Sequence, residues 1–135
     1  MTVDIEAVTP STVWQVPEAF RNVYSHATSV SLGTRMLFVS GQFGVRPDGA
    51  LATDFRGQAE QAMANVEALL SAAEMGLANL VKTTFFLTRS TDAPELVALR
   101  AENWGGPQPP AVTVLTVSAL ARPEYLIEIE ATAVA

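Results

Sequence analysis

The chain is predicted to be an α+β protein, with elements in the order β-β-α-β-α-β-β and a mixed sheet carrying both helices on one face. Three stretches point to this. An apolar stripe recurs at helical spacing between Phe55 and Ala73. Leu80–Thr88 is dense in β-branched and aromatic residues. Tyr125–Ala131 alternates strictly, with Tyr125, Ile127, Ile129 and Ala131 on one face and Leu126, Glu128 and Glu130 on the other.

Residues 1–25 are mixed, and Pro10 and Pro17 limit regular structure there. Ala27–Leu32 and Met36–Ser40 read as two strands, with Gly33-Thr34 suited to a tight hairpin turn between them. Gly41, Gly44, Pro47, Asp48 and Gly49 then form a long turn region. The first helix uses Phe55, Ala59, Ala62, Met63, Val66, Leu69, Leu70 and Ala73 as its buried stripe, with Glu60, Glu67 and Glu74 away from it. Thr53 or Asp54 is its N-cap, and Gly76 lies near its end. A second helix over Pro94–Asn103 starts with proline in its first turn. The segment Trp104–Pro110 (WGGPQPP) stops it, and Val112–Val117 and Tyr125–Ala131 complete the strands.

With 135 residues, 1–135 is expected to be one domain with a real core. Hydrophobic residues make up 49% and charged residues 16%, against a usual charged share of about 25%. So apolar a surface predicts an oligomer that covers the free face of the sheet. The 8 Lys and Arg face 14 Asp and Glu, for a net charge of −6, and Lys82 is the one lysine. Nucleic-acid binding needs a basic face to neutralise phosphates, so it is disfavoured. No stretch reaches the ~18 apolar residues of a membrane span. The start, with Asp4 and Glu6, is unlike a secretory leader, so a cytoplasmic location and no membrane partner are expected.

There is no cysteine and one histidine, His26, so neither a thiolate nucleophile nor a metal site is expected. No phosphate-cradling glycine motif is present. Ser25 and His26 are adjacent, and strand neighbours point to opposite faces, so a structural role for His26 is preferred over a catalytic pair.

Several segments in order carry a family resemblance: Tyr24-Ser25-His26-Ala27, Phe38-Val39-Ser40-Gly41-Gln42, Gln58 to Glu67, Val81 to Thr88, and Glu128-Ile129-Glu130-Ala131. Together they resemble the reactive intermediate deaminases, the Rid or YjgF family, from about Tyr24 to the C-terminus. The resemblance implies a chorismate-mutase-like fold assembled as a homotrimer with three clefts between subunits. It also implies cofactor-free hydrolysis of imines and enamines to 2-oxo acids and ammonia, although some relatives have been described as ribonucleases. Matched position by position, Tyr24 is the aromatic cleft residue, Ser40 lies at the pocket floor, and Glu128 is the acid that contacts ligand or water.

One position departs from that pattern. The family's carboxylate-binding arginine falls on Val112, and the cleft position two residues on is Val114. Arginine binds a carboxylate through a planar fork, with charge-assisted hydrogen bonds contributing about 1.5–3 kcal/mol each. Valine offers neither charge nor donor. Arg100 or Arg122 is the alternative that could reach into the cleft instead, but both are read first as surface residues. Glu128 has a plain alternative, a polar residue on the wet face of an edge strand. Three functions follow in order. The first is a divergent hydrolase of an imine, enamine or related reactive small molecule, with weak turnover of ordinary 2-imino acids. The second is a non-catalytic trimer that binds a small metabolite. A ribonuclease ranks last.

Overall fold

In the computed structural model, which describes residues 4–31, 33 and 35–135, the strands are β1 (Ile5–Val8), β2 (Ala27–Val30), β3 (Met36–Phe43), β4 (Leu80–Leu87), β5 (Ala111–Thr116) and β6 (Ile127–Val134). The helices are α1 (Phe55–Ala72) and α2 (Ala93–Trp104). The main sheet has the order β3-β6-β4-β5. β6 is antiparallel to β3 and β4, while β4 and β5 run parallel, joined across α2. The α+β class and the mixed sheet with two helices thus hold.

β1 lies in the N-terminal stretch expected to be irregular, and it changes the pairing of its neighbours. β2 pairs with β1 from Ile5↔Val30 to Val8↔Ala27, not with β3. β3 instead pairs with β6, from Met36↔Val134. The expected hairpin between β2 and β3 is therefore not formed. Of its turn, Gly33 is described, while Thr34 and the neighbouring Leu32 lie outside the described residues. A local turn signal concerns a few residues, whereas β6 supplies eight alternating residues that satisfy β3 along its length.

Burial follows the predicted periodicities. Phe55, Ala59, Ala62, Met63, Val66 and Leu70 of α1 are buried against the sheet, whereas Leu69, expected in that stripe, is 40% exposed. Alanines at the centre of the stripe let α1 sit close to the strands. Opposite them, Phe85, Leu87, Ile127, Ile129 and Ala133 are all within 1% of full burial. Each large apolar side chain so buried contributes about 1.5–3 kcal/mol. Asp54 is the N-cap of α1. At the other end, the left-handed residue is Glu74 (φ 58°), not Gly76. Arg35 donates from Nη1 to the Ala73 carbonyl at 2.8 Å, placing a cation at the negative end of the helix. Gln58, on the inner face of α1, donates to the carbonyls of Ala52 and Glu124 and accepts from the Leu126 N–H, tying both flanking loops to the helix.

The opposite face of the sheet is open and apolar in part. Phe38 is 72% exposed and Met36 60% exposed on β3. Among the described residues no helix is long and apolar enough to cross a membrane.

Candidate functional site

Register decides which face each candidate occupies. Thr83 pairs with both Val112 and Ala131, and Phe85 pairs with both Val114 and Ile129, so Val112 and Val114 share the helix-side face. Phe86 pairs with Glu128, and Thr84 with Glu130, on the other face. The valines and Glu128 of one chain therefore point to opposite sides of the sheet.

Glu128 sits on β6, between β3 and β4, so it belongs to a central strand and not to the edge strand of the plain reading. Beside it, β3 carries a bulge: pairing steps from Val39↔Ala131 to Gln42↔Ile129, leaving Ser40 and Gly41 together opposite Glu130, while Glu128 itself pairs with Phe43. Bulges bend a strand locally and re-aim side chains, often beside functional sites. The Glu128 carboxyl lies over Gly41. A methyl group on Gly41 would overlap that carboxyl and stand 2.8 Å from Glu128 Cγ, so only glycine admits the observed side-chain position. Burial raises the Glu128 pKa above the ordinary carboxylate value, and neighbouring Glu130 adds to the rise. Ser40 is exposed at this bulge, and its carbonyl accepts from Gln42 Nε2 at 3.0 Å.

Tyr24 is placed from the other direction. Ser25 Oγ donates to the Pro109 carbonyl at 2.6 Å, and Ser25 N donates to the Pro110 carbonyl at 3.0 Å. A β-bridge from Ser25 to Ala111 completes the clasp at the head of β5. This holds Tyr24 in a depression with Trp14, Phe20, Val97, Val112 and Val114. Its walls are mostly apolar, and Arg100 also lines it. Ser25 is thus a structural fastener, and the exposed His26 bonds to the Trp14 carbonyl through Nε2 while meeting Tyr24 edge-on at 6.0 Å.

The structure corrects one expectation outright. Arg100 is not a surface residue: it is 5% exposed, its guanidinium lies 5.1 Å from the Phe85 ring centroid, and Nη2 donates to the Val23 carbonyl at 3.3 Å. Burial lowers its pKa from the ordinary value, with Tyr24 acting in the opposite direction. Arg122 does lie outside, 3.8 Å from Glu124. The signal for Arg100 was available, because Leu96, Leu99 and Arg100 fall at i, i+3 and i+4 on the buried side of α2. Gly41 and the bulge had no comparable signal, since an extra residue in one strand leaves no mark in its composition.

Comparison with known proteins agrees with this fold. The family model described as endoribonuclease L-PSP matches residues 16–135. A RutC family protein of Pasteurella multocida is 36% identical over 116 residues, covering 81% of this chain and 86% of its own. A protein named 2-iminobutanoate/2-iminopropanoate deaminase, from Salmonella typhimurium, is 40% identical over 68 residues, covering 50% of this chain and 52% of its own. Among solved structures, a Rid-family protein of unknown function from Yersinia pestis superposes with a TM-score of 0.84 at 29% identity, covering 97% of this chain and 98% of its own.

Proposed function

We propose that this chain, which belongs to the Rid (YjgF-like, endoribonuclease L-PSP) family, is a divergent hydrolase of imines, enamines or related reactive small molecules, working without a cofactor. The observation that carries this reading is the Glu128 carboxyl, set over Gly41 at a bulge with its proton affinity raised by burial. An acid whose pKa is moved toward working pH can take a proton from water as that water attacks an imine carbon, and return it to the departing nitrogen. In this mechanism the water adds to the C=N carbon, the nitrogen gains protons, and the C–N bond breaks to leave a carbonyl and ammonia. Ser40 at the bulge and Tyr24 at the β5 end are the groups proposed to hold the ligand.

Glu128 and Tyr24 of one chain lie on opposite sides of the sheet. A single site can combine them only by drawing Glu128 and Ser40 from one subunit and Tyr24, Val112 and Val114 from the next. The open face bearing Phe38 and Met36 supports that assembly, proposed here as a homotrimer with small-molecule clefts between subunits. Val112 and Val114 leave the β5 wall without a cation. Arg100 lines the same depression but is turned to the Val23 carbonyl and the Phe85 ring; a carboxylate set against the valines therefore lacks a bidentate partner, so small 2-imino acids are poor substrates and less anionic imines are preferred.

The test follows 2-iminopropanoate, generated in situ by an amino-acid oxidase, in the presence of wild type and Val112→Arg. A gain of hydrolysis in Val112→Arg that disappears when Glu128→Gln is added supports the hydrolase. No gain in a folded Val112→Arg trimer favours the non-catalytic metabolite binder.

A further inference from the structure

Tyr125 leaves the alternation expected of it. β6 begins at Ile127, and the Tyr125 ring instead stacks on Phe43, with centroids 4.3 Å apart and planes inclined at 25°. Phe43 pairs with Glu128 across β3 and β6, and Phe86 pairs with Glu128 across β4 and β6, so both phenylalanines share its face of the sheet. Directly paired residues of antiparallel strands have Cβ atoms about 4.5–5.5 Å apart, which puts each ring within reach of the Glu128 stem. Glu128 thus stands between two phenylalanines, and Tyr125 covers one of them.

Both halves of the stack are fixed from α1. Gln58, 1% exposed, donates to the Glu124 carbonyl at 3.0 Å and accepts from the Leu126 N–H at 2.8 Å, gripping the backbone on either side of Tyr125. Asn65, two turns further along the helix, donates to the Phe43 carbonyl at 3.0 Å and accepts from Gln61 Nε2 at 2.9 Å. Two side-chain amides of one rigid helix therefore set where the two rings meet. Stacking itself needs the flat ring of Tyr125 and not its hydroxyl.

We propose that Tyr125 is a positioning residue for Glu128: stacked on Phe43, it holds that ring beside the carboxyl and keeps water from one flank of it. This role rests on the reading of Glu128 as the acid of the hydrolase. Partial removal of water makes a carboxyl hold its proton, and burial is the first cause of the raised Glu128 pKa, with Glu130 the second. Among the other charged groups nearby, Lys82, level with Thr132 on the same face, is turned to the Thr113 hydroxyl at 2.6 Å. Arg122 and Glu124, in the loop beside Tyr125, lie 3.8 Å from each other.

Carbon-13 NMR of labelled glutamate carboxyls in the full chain reads Glu128 without turnover. Tyr125→Ala is expected to move the Glu128 titration down toward the ordinary carboxylate value, and Tyr125→Phe to titrate as wild type does. Tyr125→Leu keeps an apolar side chain without the flat ring and guards against a variant that fails to fold; a smaller shift of the same sign is expected. Leu70→Ala removes a core side chain elsewhere on α1 and controls for lost stability alone, so Glu128 is expected to stay unmoved. With an uncharged imine, Tyr125→Ala is expected to lower turnover several-fold and to move the acidic limb of its pH profile downward, and Tyr125→Phe to restore both. An unmoved Glu128 titration in folded Tyr125→Ala or Tyr125→Leu, an equal shift in Leu70→Ala, or a shift in Tyr125→Phe as large as in Tyr125→Ala would each overturn the proposal. A shifted titration in Tyr125→Ala, together with no imine hydrolysis by wild type, would support the positioning and overturn the hydrolase.

Discussion

Gly41→Ala isolates the contact that sets Glu128. Gly41 is not among the residues with positive φ, so its backbone accepts alanine without strain. The added methyl would stand 2.5 Å from Glu128 Cδ and 2.8 Å from Cγ, where ordinary contact begins at 3.4 Å. The shortfall falls on the mobile end of a partly exposed side chain, which can turn toward water. The expected stability loss is therefore about 1 kcal/mol, the low end for overpacking, or roughly 3–5 °C in Tm. The carboxyl, once moved into solvent, loses the desolvation that raises its pKa. Carbon-13 NMR with labelled glutamate carboxyls reads this directly: the Glu128 titration should shift down toward the ordinary carboxylate value in Gly41→Ala. Gly49→Ala is the converse control. Gly49 has φ 87° and no neighbour within 4 Å of an added methyl, so the backbone penalty of about 1–2 kcal/mol appears there while Glu128 titrates as before. An unchanged Glu128 titration in folded Gly41→Ala would show that the contact with Gly41 does not hold the carboxyl in place.

Other outcomes follow from the same geometry. Because the folded pKa of Glu128 is raised, the folded state holds its proton over a range where the unfolded chain has released it; the stabilisation is full below the ordinary carboxylate pKa and is lost as pH rises through the folded value. Glu128→Gln should accordingly gain stability relative to wild type across that window, measured by denaturant unfolding at several pH values. Gln58→Ala leaves the Leu126 N–H without its side-chain acceptor and opens a void, so denaturant unfolding should report a loss of about 2–4 kcal/mol. Phe38→Asp places a charge on the open sheet face and should convert the proposed trimer to monomers in sedimentation equilibrium.

Periodicity carried most of the fold because the core is built from it. The α1 stripe, the β4 run and the alternation of Ile127, Ile129 and Ala131 each bury the face their spacing indicates. Pairing was less legible: nothing local to Ala27–Val30 says that its partner is Ile5–Val8 and not the next strand along the chain. In the candidate site, Tyr24, Val112 and Val114 do come together, and the Glu128 carboxyl does lie over Gly41. That these halves face opposite ways depends on the sheet register, which composition does not contain. Arg100 was misjudged by residue type, since arginine is usually exposed, although its spacing from Leu96 placed it inward.

The β5 wall, with Val112 and Val114, is proposed to disfavour a carboxylate while the Glu128 carboxyl activates water. The most direct measurement compares two imines in the presence of wild-type protein: 2-iminopropanoate, made by an amino-acid oxidase, and an uncharged imine of similar size, made by an amine oxidase. The expected result is little acceleration of 2-iminopropanoate loss, clear acceleration of the uncharged imine, and dependence of the latter on Glu128. Efficient hydrolysis of 2-iminopropanoate by wild type, with no preference for the uncharged imine, would contradict it.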